Sequence, residues 1–474
     1  MSAELPRLAP EEFRARAHRL VDWMADYLAE LRTYPVAPRA TPGELRARLP
    51  VSPPVEPESF DSIMADFERL IVPGLMHWGH PGFFGYFPAN TSPPSILAEM
   101  LTAAIGAQCM SWNTSPAATE LEQVTVDWLR QMIGLPDHFT GVIQDTASTA
   151  TLVAFITARD AKVRHGAGGA AGRIDRLTAY TSGEANASVP KGARLAGFRP
   201  EHIRLLDTDA NAALDPAALE AAIAADRAAG LVPACVVATV GTTGSTAIDP
   251  VAACAAICRR EDVWLHVDAA FAGSAAILPE LRWILAGAEQ ADSLVFNPHK
   301  WLLVNFDCSA YFVRDPTALL RSFSASAEIL KAGYDDSVVN FRDWGIQLGR
   351  RFRALKLWFV LRSYGVQGLQ AMLREHIRLG RLFAGWVDAH PGFERMAEAP
   401  LATVCFRQRG PDPDALNRAL LARLNAGGKL FLTGTVLRGA YVLRLSLGHL
   451  ATTEADVRAA WEQIVAEAGA GSAG

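Results

Sequence analysis

The chain has 474 residues, half of them hydrophobic and one in five charged, with a formal net charge of -5. That is enough for a large domain plus a smaller one around a sizeable apolar core, and it argues against wholesale disorder. The mild charge, with basic residues spread along the chain, leaves no nucleic-acid footprint, and no run of eighteen apolar residues offers a membrane span.

Residues 11–32 place Ala17, Leu20, Val21, Met24 and Leu28 at helical spacing, and a Pro-rich passage follows from Pro35 to Pro57. A second amphipathic helix is predicted at about 59–72. Such an arm cannot bury its apolar stripe alone and must pack on another surface. The N-terminus has no signal-like apolar segment, so a cytoplasmic location is expected. From about 86 to 370, strands alternate with Ala-rich helices: LTAY (177–180), HIRLL (202–206), ACVVATV (234–240), VWLHV (263–267) and DSLVF (292–296). Alternation of this kind predicts an α/β domain with a mostly parallel sheet covered on both faces. GAGGAAG at 166–172 neither follows a clear strand nor opens a clear helix, so it reads as a turn rather than a phosphate loop. Residues 323–345, with Ser, Gly and charge between two helical stretches, read as an exposed lid loop. The last hundred residues change character, with a helix near 371–388, the strand AYVLRLSLG (440–448) and a closing helix at 453–467, so 371–474 is expected as a small α+β domain.

Cysteines at 109, 235, 254, 258, 308 and 405 form no disulfide framework in so long a chain. Cys254 and Cys258 would share a buried helical face, and no second pair completes a zinc site. His77 and His80 are separated by a segment that Gly79, Pro81 and Gly82 keep from being helical. No metal is expected.

Two polar clusters remain. The buried strand VWLHV delivers Asp268 to its C-terminal end, and DSLVF delivers Asn297, His299 and Lys300 to the same edge, where open α/β sheets bind ligands. A primary amine that can condense with an aldehyde, next to a carboxylate that can keep a pyridine nitrogen protonated, is what pyridoxal 5'-phosphate requires. His266, on the same strand face as Asp268, either braces that carboxylate or is a satisfied buried histidine.

The run NPHKWLLVNFDCSA (297–310) resembles the coenzyme-lysine segment of the group II pyridoxal-phosphate decarboxylases, specifically the aromatic L-amino acid decarboxylases. EFRARAHRLVDWMADYL (12–28), HWGHPGFFGYFPA (77–89), SPAATELE (115–122), VATVGTT (237–243) and LGRRFRALKLWFVLRSYGVQGLQ (348–370) resemble that family in the same order, over almost the whole chain. The resemblance implies a fold-type I, aminotransferase-like architecture and a homodimer. Residues 1–85 would be its helical dimerisation segment, 86–370 the large coenzyme-binding domain and 371–474 the small domain. The lid would close over an active site, that of the neighbouring subunit.

The resemblance also implies residue roles. Thr146, Ala147 and Ser148 would hold the coenzyme phosphate, and Ser148 and Thr149 precede an apolar run whose helical N-terminus favours an anion. Asp268 would pair with the ring nitrogen, Ala270 would pack under the ring and Thr243 would lie near its substituents. Asn297 and His299 would fix the phosphate side, and Lys300 would hold the aldehyde. Trp78, Phe83, Phe84, Tyr86, Phe87 and Pro88 match an aromatic substrate pocket, with Met110 where an aromatic is common. Ala89 replaces a hydroxyl of catechol-preferring relatives and Gly349 leaves room where some phenol-preferring relatives have Ser, so phenylalanine or tryptophan is favoured over dopa.

Two departures concern the product. Asn186 in TSGEANASV stands where amine-forming relatives have a histidine that stacks on the coenzyme, and Phe341 in VNFRDW stands at the tyrosine of a YRxW loop that assists protonation. Loss of acid assistance, typically worth about a hundredfold to ten-thousandfold, would expose the reacting carbon to dioxygen as co-substrate. The expected product is then an aryl acetaldehyde with CO2, ammonia and hydrogen peroxide. The alternatives are an ordinary decarboxylase giving the arylalkylamine, and a non-catalytic coenzyme-binding relative.

Overall fold

The computed structural model describes residues 8–89, 91–165, 173–324 and 337–471. The GAGGAAG turn and most of the expected lid, 325–336, lie outside the described residues. The chain forms two compact units, one made of 1–84, 419–432 and 451–474, the other of 85–418 and 433–450.

The larger unit is built on seven strands: β1 Thr140–Gln144, β2 Leu177–Ser182, β3 Ile203–Leu206, β4 Val232–Thr239, β5 Trp264–Asp268, β6 Ser293–Phe296 and β7 Ser309–Val313. Their order in the sheet is β1-β7-β6-β5-β4-β2-β3. β6, β5, β4, β2 and β3 pair in parallel, whereas β7 runs antiparallel to both β6 and β1. The mostly parallel expectation therefore holds, with β7 as the exception. β2, β6 and β7 are buried at every position, as strands covered on both faces should be, and β6 and β7 run mostly apolar without alternating. Register sets Thr239 opposite Asp268 and Asp268 opposite Val295, so β4, β5 and β6 end side by side.

A second, antiparallel sheet, β10-β11-β9-β8, belongs to the same unit: β8 Phe393–Arg395, β9 Thr403–Gln408, β10 Thr433–Leu437 and β11 Ala440–Ser446. The segment 371–474 is therefore divided between the two units. The helical stretch Arg353–Ala389 is two helices joined across a kink at Gly365, whose φ of 63° suits glycine, and the second runs through the expected boundary at 370. Cys254 and Cys258 lie on the buried face of the helix Val251–Arg260, and all six cysteines are free and buried.

In the smaller unit the helix Pro10–Ala29 has no buried residue, and Phe13, Leu20 and Val21 are exposed. Its other face meets Phe60 through Arg16 and Arg19, and Phe67 through Trp23. Arg32 pairs with Asp456 near the start of the closing helix Glu454–Gly471. His77 Nδ1 bonds Tyr27 Oη at 2.8 Å, while His80 Nδ1 accepts the Gly82 N–H at 2.8 Å, so the two imidazoles take separate partners. Among the described residues, no group of three His, Cys, Asp or Glu is arranged to hold a metal ion, and no helix is long and apolar enough to cross a membrane.

Candidate active site

At the C-terminal ends of β4, β5 and β6 a cavity of about 200 Å³ is lined by Thr146, Ala147, Ser148, Asn186, Thr243, Asp268, Ala270, Asn297, His299 and Lys300. All ten expected coenzyme-site residues thus converge on one space, together with Phe87, Ser188, Thr239, Gly241, Phe271 and Phe306, of which only Phe87 was anticipated.

Asp268 is buried, and its Oδ1 accepts the Ala270 N–H at 3.0 Å. Burial pushes its carboxyl pKa up, and the Lys300 charge pulls against that. Lys300 keeps some exposure to the cavity, yet burial pushes its ammonium pKa down, with Asp268 opposing and Arg444 reinforcing the shift. A lowered lysine pKa enlarges the neutral fraction, the form that attacks an aldehyde. His266 does not brace Asp268. Its ring bonds Ser293 Oγ at 2.9 Å and Thr151 Oγ1 at 3.3 Å, and burial takes its pKa down to about 3. It is the satisfied buried histidine of the two alternatives.

The helix Ala147–His165 begins on the cavity lining. Thr146 caps it: its Oγ1 accepts the Thr149 N–H at 3.4 Å, and its own N–H donates to Asp145 Oδ1 at 2.6 Å. Ala147 and Ser148 therefore occupy the first turn, where backbone N–H groups have no intrahelical acceptor. Asn297 Oδ1 accepts the Ser309 hydroxyl at 2.6 Å, which turns its NH2 the other way. His299 Nδ1 accepts the Cys308 N–H at 2.9 Å, so its proton sits on Nε2, and burial lowers its pKa to about 3. Asn186 is bound at both ends of its amide: Nδ2 donates to Thr243 Oγ1 at 2.9 Å, and Oδ1 accepts the Ser188 N–H at 2.9 Å.

The substrate wall is less complete. Phe87 lies beside the amine, with Lys300 Nζ 5.2 Å from its ring centre. Tyr86 is about half exposed, at φ 51°, and its carbonyl accepts from Arg444. Pro88 is buried against Gly448, and Ala89 is partly buried. Met110 offers its carbonyl to the Arg342 N–H, and Gly349 is exposed next to Gln108. Trp78, in the smaller unit, packs on Phe83 at 4.6 Å. None of these six lines the cavity.

Phe341 is not on the lining of this cavity but packs behind it, in a cluster that includes the lining residue Ala147 and contacts Ala270. Its ring is 2% exposed, in an apolar cluster with Val142, Ala150 and Tyr311, edge-on to Trp344 and 4.8 Å from the Arg350 guanidinium carbon. Nor is 340–345 an exposed loop end. Asn340 Oδ1 accepts the Trp112 N–H and the Trp344 carbonyl accepts from Gln144, because these backbone groups are buried and need partners.

Sequence reasoning missed Arg444. Its Nε donates to the Gly244 carbonyl at 2.8 Å and Nη1 to the Tyr86 carbonyl at 2.7 Å, and its guanidinium carbon stands 4.8 Å from the Phe87 ring centre. Burial lowers its pKa to about 10, and Nη2 is buried with no hydrogen-bond partner. A lone Arg inside the apolar strand AYVLRLSLG was the available signal, because a buried cation with an unmet donor implies an anion.

The donor set fits pyridoxal phosphate. An amine, a carboxylate and a helix N-terminus line one cavity, and Thr239 Oγ1, on the same lining, is buried without a partner. Residues 42–409 match the family model described as the pyridoxal-dependent decarboxylase conserved domain. The chain is 45% identical to the aromatic-L-amino-acid decarboxylase of Rattus norvegicus, over 96% of each chain. It is 43% identical to the phenylacetaldehyde synthase of Arabidopsis thaliana, over 97% of this chain and 96% of that one. The crystal structure of Oryza sativa TDC with PLP and tryptamine superposes with a TM-score of 0.96 at 39% identity, covering 98% of this chain and 99% of that one. With the fold, the donor set and these likenesses in agreement, the chain belongs to the pyridoxal-dependent decarboxylase family, as a fold-type I, pyridoxal-phosphate-dependent carboxy-lyase.

Proposed function

We propose that this protein decarboxylates an aromatic L-amino acid and couples the loss of CO2 to oxidative deamination. One amino acid, one O2 and one water would give the aryl acetaldehyde, CO2, ammonia and hydrogen peroxide. The observation that carries the product is the amide of Asn186, which lines the cavity with both ends engaged and has no titratable proton to deliver near neutral pH.

Bound pyridoxal phosphate supplies an electron sink for the bond broken at Cα. Lys300 would hold its aldehyde and Asp268 its ring nitrogen in the charged form, with Ala270 beneath the ring and Thr243 beside it. The first-turn N–H groups of Ala147 and Ser148, with Thr146, the Asn297 amide and His299 Nε2–H, would meet the phosphate. Arg444, outside the cavity lining but over the lining residue Phe87 and with Nη2 unbonded, would be the cation for the substrate carboxylate, and Phe87 would be the wall for its aromatic side chain. The exposed apolar residues Phe13, Leu20 and Val21 on one helix, and Leu97, Leu101 and Ile105 on the helix Pro93–Ile105, support a homodimer, to be checked by sedimentation.

A second reading, an arylalkylamine product, is supported by the 45% identity to an aromatic-L-amino-acid decarboxylase beside the 43% to a phenylacetaldehyde synthase. Oxygen uptake, peroxide, aldehyde and amine measured together with phenylalanine, tyrosine, tryptophan and dopa separate the two. Stoichiometric amine without oxygen consumption overturns the aldehyde reading.

A further inference from the structure

The aromatic wall is one side of a closed circuit of contacts. Phe87 stacks on Phe271 at 4.0 Å and 9°, and Phe271 stacks on Trp301 at 4.5 Å and 7°. Trp301 Nε1–H donates at 3.0 Å to Nδ1 of His376, on the helix Arg353–Ala389. An indole only donates, so His376 Nδ1 is an acceptor, and the ring proton lies on Nε2, which donates at 3.1 Å to the His449 carbonyl. The residue before His449 closes the loop: a Cβ on Gly448 would stand 2.2 Å from Pro88 Cγ, so this backbone lies directly against the residue that follows Phe87.

We propose that His376 is a positioning residue for substrate: from outside the cavity, this imidazole holds Trp301 on one side and the 448–449 backbone on the other, and so fixes the plane of Phe87. The inference rests on Phe87 being the wall for the substrate's aromatic ring. Two parallel stacks transmit a tilt of Trp301 through Phe271 to Phe87, whereas a slack 448–449 segment frees Pro88. His376 touches neither substrate nor coenzyme. Its effect falls on binding of the aromatic side chain, leaving the bond-breaking groups Lys300 and Asp268 in place.

The test compares His376→Phe, which keeps a ring but loses both hydrogen bonds, with His376→Gln, whose planar amide offers one acceptor and one donor. Trp301→Phe, which removes the donor from the other side, is the second route should His376→Phe fail to fold. Each coenzyme-loaded protein is assayed for kcat and KM with phenylalanine, for calorimetric binding of 3-phenylpropionate, and for its near-ultraviolet circular dichroism. For His376→Phe and Trp301→Phe the expected result is a rise of about tenfold in KM and in the phenylpropionate Kd, kcat within about threefold of the parent, and loss of part of the aromatic dichroism. His376→Gln should recover most of each. Unchanged KM and Kd in folded, loaded His376→Phe overturn the proposal. Should the parent turn over no aromatic amino acid while Kd and dichroism still shift, the substrate reading fails and the positioning role stands.

Discussion

Asn186 donates through Nδ2 to Thr243 Oγ1 at 2.9 Å while its Oδ1 takes the Ser188 N–H, so the side chain nearest to replacing an expected general acid is locked as a neutral bridge. Asn186→His should restore a titratable ring at that point. We expect amine to rise and peroxide to fall by about tenfold or more per CO2 released, as loss of acid assistance would require. An unchanged amine-to-aldehyde ratio removes Asn186 as the determinant.

Lys300 and Asp268 should separate by spectrum as well as rate. Lys300→Ala should abolish the visible absorbance of a lysine-bound coenzyme together with activity. Asp268→Asn keeps an oxygen for the Ala270 N–H but loses the charge that favours a protonated ring nitrogen, so coloured protein with kcat reduced on the order of a hundredfold is expected. A colourless Asp268→Asn would assign the carboxylate to folding or coenzyme retention instead.

Phe341→Tyr separates a packing role for this residue from a role at a reacting carbon. The new hydroxyl would enter an apolar cluster, so we expect a stability loss of about 1–3 kcal/mol in denaturant titration and no change in product ratio. A shift toward amine would return the residue to the reacting carbon.

Acid should unfold the protein steeply. Burial depresses the pKa of His266 and His299 to about 3 and of His376 to about 4. Folded-state values below the unfolded one mean stability that is present above the unfolded pKa near 6.5 and lost as pH falls toward the folded values. Between about pH 6 and 4 these three imidazoles bind up to three more protons in the unfolded chain, while buried Asp249, raised to about 6, holds up to one more in the folded one, a net loss approaching about 3 kcal/mol per pH unit. Chemical denaturation at pH 7, 6 and 5 checks this, and His376→Gln should flatten the slope by about 1 kcal/mol per pH unit.

Local chemistry made much of the site legible. VWLHVD and DSLVFNPHK each carry an apolar run ending in polar groups, and strands of that kind in one parallel sheet deliver those groups to one edge, so Asp268 and Lys300 could be paired before any geometry was known. The QDTASTA segment likewise reads as a helix start, and the structure caps it with Thr146, whose hydroxyl accepts the Thr149 N–H. β1 and β7 were missed because their pairing is long-range and antiparallel, between segments whose own patterns are short.

By itself the sequence determined the α/β class, the family likeness and the delivery of Asp268, Asn297, His299 and Lys300 to one sheet edge, because each depends on residue type at the end of a periodic element, while the other six expected lining residues came from the family resemblance. Only the tertiary structure decided that Phe341 packs in a core, that His266 serves Thr151 and Ser293 rather than Asp268, that Arg444 lies over Phe87 and that His376 bonds Trp301. Those outcomes depend on which distant segments come together, and a side chain's direction and partners are set by packing across the fold, a constraint that no local window of residues contains.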